Sequence, residues 1–178
     1  MDPEELGALV QSGRKRLLFE LAAAPKANIE RQEIERLLPH REPFLLLDRI
    51  VGIDLPNRTV VGARRIAQED PVFRGHFPNE PVYPGVLQLE MLGQAGLCLL
   101  GLLENAGPCR AREQGARRVR MLKIHHAVFL LEVAPGDELL LPVKVMYSDD
   151  FTGICAGQIV KGDAICAFVV MEVYFVPK

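Results

Sequence analysis

The chain has 178 residues, 49% of them hydrophobic and 25% charged, with a formal net charge of -2. That balance suits one soluble domain with room for a short appendage and a buried core. So small a net charge gives no overall attraction to nucleic acid. The four cysteines, Cys98, Cys109, Cys155 and Cys166, have no CxxC spacing. They read as reduced core thiols in a cytoplasmic protein, with no metal expected. The opening Met1-Asp2-Pro3-Glu4-Glu5 is acidic where a secretory signal is basic. The uncharged run from Met91 to Leu103 is too short to span a bilayer, so no membrane insertion is expected.

In chain order, residues 3–24 read as a helix, from the spacing of Leu6, Leu9, Val10, Leu17, Leu18 and Leu21, with Pro25 as its stop. This helix carries Arg14, Lys15 and Arg16, either a solvated face or a docking arm. A second helix is expected over Ile29 to Leu38, capped by Asn28 and ended by Pro39. Strands are expected over Phe44–Ile53 and Thr59–Ile66, joined at Pro56-Asn57. Residues 67–85 form a long loop, of the kind that is usually functional. Val86 to Ala106 is almost wholly apolar, and as a helix it would be roughly 30 Å long and buried on all sides. Gly107–Gly115 is a loop. Five strands follow: Arg117–His125, Ala127–Val133, Glu138–Ser148, Phe151–Val160 and Ala164–Val176. An antiparallel sheet must cover its apolar face, and an all-apolar helix must be wrapped. The expected class is therefore α+β, a curved sheet folded around one long helix. Residues 1–28 form a helical extension and 29–178 the domain.

Three features carry chemistry. Glu90 is the single charged residue between Val86 and Leu103. A buried carboxylate is costly, so it either pairs with a cation from elsewhere or stays protonated and serves as a general acid. Gln94 stands one helical turn on, within hydrogen-bond reach of that carboxyl. His76 lies in a loop stiffened by Pro78, Pro81 and Pro84, and imidazole is the natural base near neutral pH. Pro84-Gly85 opens the apolar helix. Its unpaired N–H groups and its dipole favour an oxyanion there, and Gly85 lets a substrate approach the backbone. A plain proline-glycine helix start is the simpler alternative.

The string Gly75-His76-Phe77-Pro78-Asn79-Glu80-Pro81-Val82-Tyr83-Pro84-Gly85-Val86-Leu87-Gln88-Leu89-Glu90 resembles the signature of the FabZ-type 3-hydroxyacyl-[acyl-carrier-protein] dehydratases. Leu38-Pro39-His40-Arg41-Glu42-Pro43-Phe44-Leu45-Leu46-Leu47-Asp48-Arg49 is similar to the opening of that family, and Pro135-Gly136-Asp137 matches a shorter motif. The resemblance runs from about Ile29 to the C-terminus. It implies a hotdog fold and dehydration of (3R)-hydroxyacyl thioesters on acyl carrier protein to trans-2-enoyl thioesters, in fatty-acid or polyketide-type synthesis. It implies His76 as base, Glu90 as acid, Gly85 N–H holding the thioester oxygen and Gln94 orienting Glu90. The related FabA-type enzymes, which also isomerise, carry Asp at the acid position, so dehydration alone is expected. The resemblance further implies a homodimer whose sites pair the histidine of one subunit with the acid of the other, and in many relatives a trimer of such dimers. No metal or organic cofactor is implied beyond the phosphopantetheine carrying the substrate. Phe77, Tyr83, Val86, Leu92 and Phe129 are expected around the substrate.

Relatives carry basic residues around the phenylalanine before the PGD turn, where this chain has Leu130, Leu131 and Glu132. The segment with Arg110, Arg112, Arg117, Arg118, Arg120 and Lys123 is a candidate replacement for steering an acidic carrier, or else a solvated edge. Tyr83 stands where relatives often carry Met or Phe. Other readings are a hydratase or dehydratase of acyl-coenzyme A, a hotdog thioesterase, and a non-catalytic scaffold subunit.

Overall fold

The computed structural model describes residues 2–104 and 118–176. Alternating apolar residues build strands β1 (Lys26–Glu30), β2 (Arg49–Asp54), β3 (Thr59–Arg65), β4 (Val119–Phe129), β5 (Glu138–Ser148), β6 (Thr152–Lys161) and β7 (Ala164–Phe175). They form one antiparallel seven-stranded sheet in the order β1-β2-β3-β5-β6-β7-β4. The helices are α1 (Pro3–Gly13), α2 (Arg31–Leu37) and α3 (Gly85–Glu104). This is the expected sheet-and-helix architecture.

The two faces of the sheet separate cleanly along β7, because successive side chains point to opposite sides of a strand. Val169, Met171, Val173 and Phe175 join the main core with α3. Phe168 and Val170 join a second cluster on the other face. Glycines on β6 seat the helix. A Cβ at Gly157 would stand 3.1 Å from Leu92, and one at Gly153 would stand 3.2 Å from Leu100. Leu92 is thereby sealed in the core at 0% exposure, so it lines no substrate tunnel, contrary to expectation. By length and composition α3 could cross a membrane, but more than half of its apolar window is buried in this fold. Burial also pushes the Cys155 thiol up to about 12 and the Cys98 thiol higher still, as inert core thiols require.

The second face is covered by the N-terminal segment. Leu6, Leu9, Val10 and Leu18 pack on Ile154, Ala156, Phe168 and Val170. The helix expected over residues 3–24 stops at Gly13, and only a short 3-10 turn follows at Leu21–Ala23. The cause lies far away in sequence. Gln158, fully buried on β6, donates to Gly13 O at 2.6 Å and to Arg16 O at 2.8 Å, and accepts from Leu18 N at 2.9 Å. A side chain that takes the terminal carbonyls ends the helix there. Gly13 also lies on the Phe168 ring, where a Cβ would approach to 2.4 Å. Replacing Gln158 with methionine removes three backbone bonds. Stability should fall by about 2–3 kcal/mol in urea titrations, with protease cleavage appearing within residues 14–20. An unchanged midpoint with no cleavage would contradict this anchoring.

Three more boundaries differ. Residues 26–30 form a strand, not the start of a helix, and α2 is capped by Glu30 with Glu33 rather than by Asn28. The expected junction at residues 28 and 29 thus falls inside β1. Phe44–Asp48 is not a strand, because its backbone is held by side chains, as described below. The two strands expected over 117–133 are one, β4, whose register shifts twice, between Met121 and Lys123 and between Ile124 and His126. Such bulges break strict alternation and mask a continuous strand. The expected end of the long helix at Ala106, the Gly107–Gly115 loop, Cys109, Arg110, Arg112 and Arg117 lie outside the described residues. β4 ends the sheet, and Met121, Leu122 and Ile124 are exposed along it.

Candidate active site

The loop before α3 holds His76 from several directions. A 3-10 turn at Pro71–Arg74 is capped by Asp70, whose carboxylate accepts from Val72 N at 3.0 Å. His76 N then donates to Val72 O at 2.9 Å, and Val82 N returns to His76 O at 3.2 Å. Tyr83 N donates to Val133 O at 2.7 Å, fixing the far end of the loop. The imidazole Nδ1 lies 2.8 Å from Val82 O. A carbonyl can only accept, so Nδ1 carries a proton, and in the neutral ring Nε2 is the acceptor. The Phe77 ring stacks on the imidazole at 4.1 Å between centroids.

His76 opens onto a cavity of about 280 Å³, also lined by Gly85, Gln88 and Phe129. Gly85 is the first residue of α3, so its N–H has no carbonyl within the helix to bond. The Phe129 ring lies directly over it, where a Cβ would stand 2.8 Å from the ring. The cavity therefore brings together the imidazole, the first residue of α3 and an apolar cover. Gly85→Ala should push the half-exposed Phe129 ring aside and lower kcat/KM for a thioester substrate by about tenfold to a hundredfold without unfolding. Removing the ring as well, in a Phe129→Ala double variant, should return part of the loss. Unchanged kinetics in the single variant would show that this contact is irrelevant.

The remaining expected contacts differ in kind. Phe77 and Val86 are exposed, the latter at 73%. Tyr83 borders the cavity but is only 1% exposed, its ring edge-on to Phe73, and burial raises its phenol to about 12. It is a core residue more than a contact surface. Arg120 and Lys123 pair across β4 with Tyr174 and Glu172, which alternate with the core-facing residues of β7, and so lie on the face away from α3. Arg118 is exposed just before that strand.

Glu90 sits elsewhere. Gly85 and Glu90 are five residues apart, which sets the two positions about 140° from each other around the helix. Glu90 is not among the residues lining the His76 cavity. Its carboxylate accepts from Gln94 Nε2 at 2.9 Å and lies 3.4 Å from His40 Nε2. Its side chain is 25% exposed, so it is neither unpaired nor sealed in apolar surroundings, as its sequence context suggested. The contact missed in the sequence is His40, fifty positions away, although its Leu38-Pro39-His40-Arg41 string marks the segment. Gln94 also donates to Phe44 O at 2.8 Å and accepts from Leu46 N at 2.8 Å. All of its hydrogen-bonding groups are engaged, which locks the 44–46 backbone outside the sheet and fixes the Glu90 carboxylate. Asp48 braces the same segment through Arg64, Arg31 and Arg65 N.

Comparison with known proteins converges on one group. A family model described as "FabA-like domain" matches residues 38–169. A 3-hydroxyacyl-[acyl-carrier-protein] dehydratase FabZ from Xanthomonas campestris pv. campestris (strain B100) is 37% identical over 144 residues, which cover 80% of this chain and 90% of the relative. The FabZ of Xanthomonas oryzae pv. oryzae (strain PXO99A) is 40% identical over 117 residues, covering 66% of this chain and 72% of the relative. Among solved structures, the dehydratase heterocomplex ApeI:P from Xenorhabdus doucetiae matches with a TM-score of 0.67 at 19% identity, over 82% of this chain and 91% of that one. That likeness establishes the fold.

Proposed function

The chain belongs to the FabA-like domain family, and on that premise we propose that it is a 3-hydroxyacyl-[acyl-carrier-protein] dehydratase whose catalytic pair is completed between two copies. The observation that carries the second half is the separation of groups within one chain. His76 and the Gly85 N–H share a cavity, while Glu90 faces His40 and Gln94 on another side of α3. An acid that faces away from the cavity of its own chain's base supports a site completed by a second molecule. The open β4 edge, with Met121, Leu122 and Ile124 exposed, supports a homodimer by strand pairing across that edge. Trimers of such dimers are the corresponding higher assembly.

The reaction follows from the groups present. The thioester oxygen sits on Gly85 N–H, which stabilises it as negative charge develops. His76 Nε2 takes a proton from C2. Glu90 of the second copy gives its proton to the C3 oxygen, the C3–O bond breaks, and the C2–H electron pair becomes the new double bond. Water leaves, and a trans-2-enoyl thioester remains. The proton gained by His76 balances the one lost by Glu90, and exchange with solvent restores both. The substrate is neither oxidised nor reduced overall, and the residues named supply both proton transfers without a metal or organic cofactor. Gln94 orients the acid, and the Phe77, Val86 and Phe129 surfaces take the apolar part of the substrate.

The acyl group is delivered on the phosphopantetheine arm of acyl carrier protein. Exposed Arg118, Arg120 and Lys123 are positive groups that an acidic carrier could meet, but Arg120 and Lys123 lie on the sheet face away from α3, so they do not support delivery at this chain's own His76 cavity. Reduced, buried thiols at Cys98, Cys155 and Cys166 support a cytoplasmic setting. The direct experiment is incubation with matched 3-hydroxyacyl thioesters on carrier protein and on coenzyme A, read by mass spectrometry. The proposal expects loss of water to give the enoyl thioester, faster on the carrier. Free thiol without enoyl product would instead mark a thioesterase, and no reaction at all a scaffold.

A further inference from the structure

Gln88 is buried at 3% exposure on the wall of the His76 cavity, one turn into α3 from Gly85. Its Nε2 donates to Tyr83 O at 3.3 Å, whereas its Oε1 has no hydrogen-bond partner. The Tyr83 carbonyl fixes this orientation, because turning the amide over would set oxygen against oxygen. A buried acceptor left unpaired is destabilising, and it calls for a reason such as a ligand that completes it. Helical side chains lean toward the N-terminus, so the amide is drawn back to the level of Gly85, as its bond to Tyr83 O requires.

We propose that Gln88 Oε1 accepts a hydrogen bond from the C3 hydroxyl of the substrate and so selects and orients the leaving group. This rests on the dehydratase reading above. With the thioester oxygen on Gly85 N–H, the sulfur arm leads out to the cavity mouth and carries its amide N–H groups away. The hydroxyl, two carbons along the acyl chain, is the donor that remains beside the Gly85 end of the helix. A hydroxyl has one hydrogen and two lone pairs. Holding the hydrogen on Oε1 turns a lone pair toward the incoming proton of Glu90, and the departing water keeps that bond as it forms. A neutral amide does this without adding a charge that would compete with the acid. The enoyl product has no hydroxyl, so the contact also favours substrate over product.

The test uses the full-length protein in a His76→Ala background, where the substrate is not consumed. Calorimetry compares a 3-hydroxyacyl pantetheine thioester with the saturated acyl thioester of equal length. With Gln88 intact, the hydroxyl form should bind about tenfold tighter, as one hydrogen bond to a buried acceptor provides. Gln88→Met, similar in volume, should lose that preference while leaving the saturated compound's affinity unchanged. If Gln88→Met weakens both compounds equally, the acceptor serves the pantetheine arm and the inference is overturned. The same holds if the preference survives Gln88→Met. Absence of enoyl product from the enzyme with His76 and Gln88 intact would instead sink the dehydratase reading itself.

Discussion

A His76→Ala variant should fold normally and form enoyl thioester at least about a hundredfold more slowly, reaching ten-thousandfold if His76 is the sole base. The loop does not depend on the imidazole for its course. Backbone bonds from His76 N to Val72 O and from Val82 N to His76 O remain, as does the anchor from Tyr83 N to Val133 O. The side chain adds one hydrogen bond, Nδ1 to Val82 O, whose loss costs about 1 kcal/mol. A large kinetic effect beside a small stability effect is the signature of a chemical role. Turnover assays paired with thermal unfolding measure both. A variant that kept near-full turnover would remove His76 from the mechanism.

Glu90→Gln should be as damaging. The amide matches the carboxyl in shape, and its oxygen can still accept from Gln94 Nε2, so the local packing survives. What it cannot do is give up a proton to a leaving hydroxyl. A loss of about a hundredfold to ten-thousandfold is expected in dehydration. Hydration of the enoyl thioester should fall by the same factor, because both directions cross one transition state. An unchanged unfolding temperature beside that loss separates this from a structural defect. Near-full turnover by this variant would contradict the acid's assigned place.

Much of this site is legible in the sequence because its determinants are local. The prolines that stiffen the His76 loop, the Gly85 helix start and the lone acid at Glu90 lie within one short stretch, and the Gln94 contact follows from helical spacing. The turns after β5 and β6 are equally local. What is not legible depends on residues brought together from far apart. Helix α1 ends at Gly13 because of Gln158, and nothing near residue 13 announces it. Glu90 is paired by His40, which a reading of its own helix cannot find. Phe44–Leu46 looks like strand by composition, yet Gln94 takes the backbone bonds that a neighbouring strand would have made. In β4, two register shifts hide the period that identifies a strand. The 140° between Gly85 and Glu90, by contrast, is present in the spacing alone. It turns the acid away from the Gly85 end of the helix, while the separation of Glu90 from His76 shows only in the structure, where Glu90 is not among the residues lining the His76 cavity.

That separation is most directly tested by mixing two inactive proteins. Refolding or co-expressing the His76→Ala and Glu90→Gln variants together gives dimers in which half are mixed. Each mixed dimer holds one site with both side chains intact and one with neither. If the two groups meet between subunits, dehydratase activity should reappear at about a quarter of the unmutated level. If both groups serve within a single chain, every site carries a defect and the mixture should stay as inactive as its components.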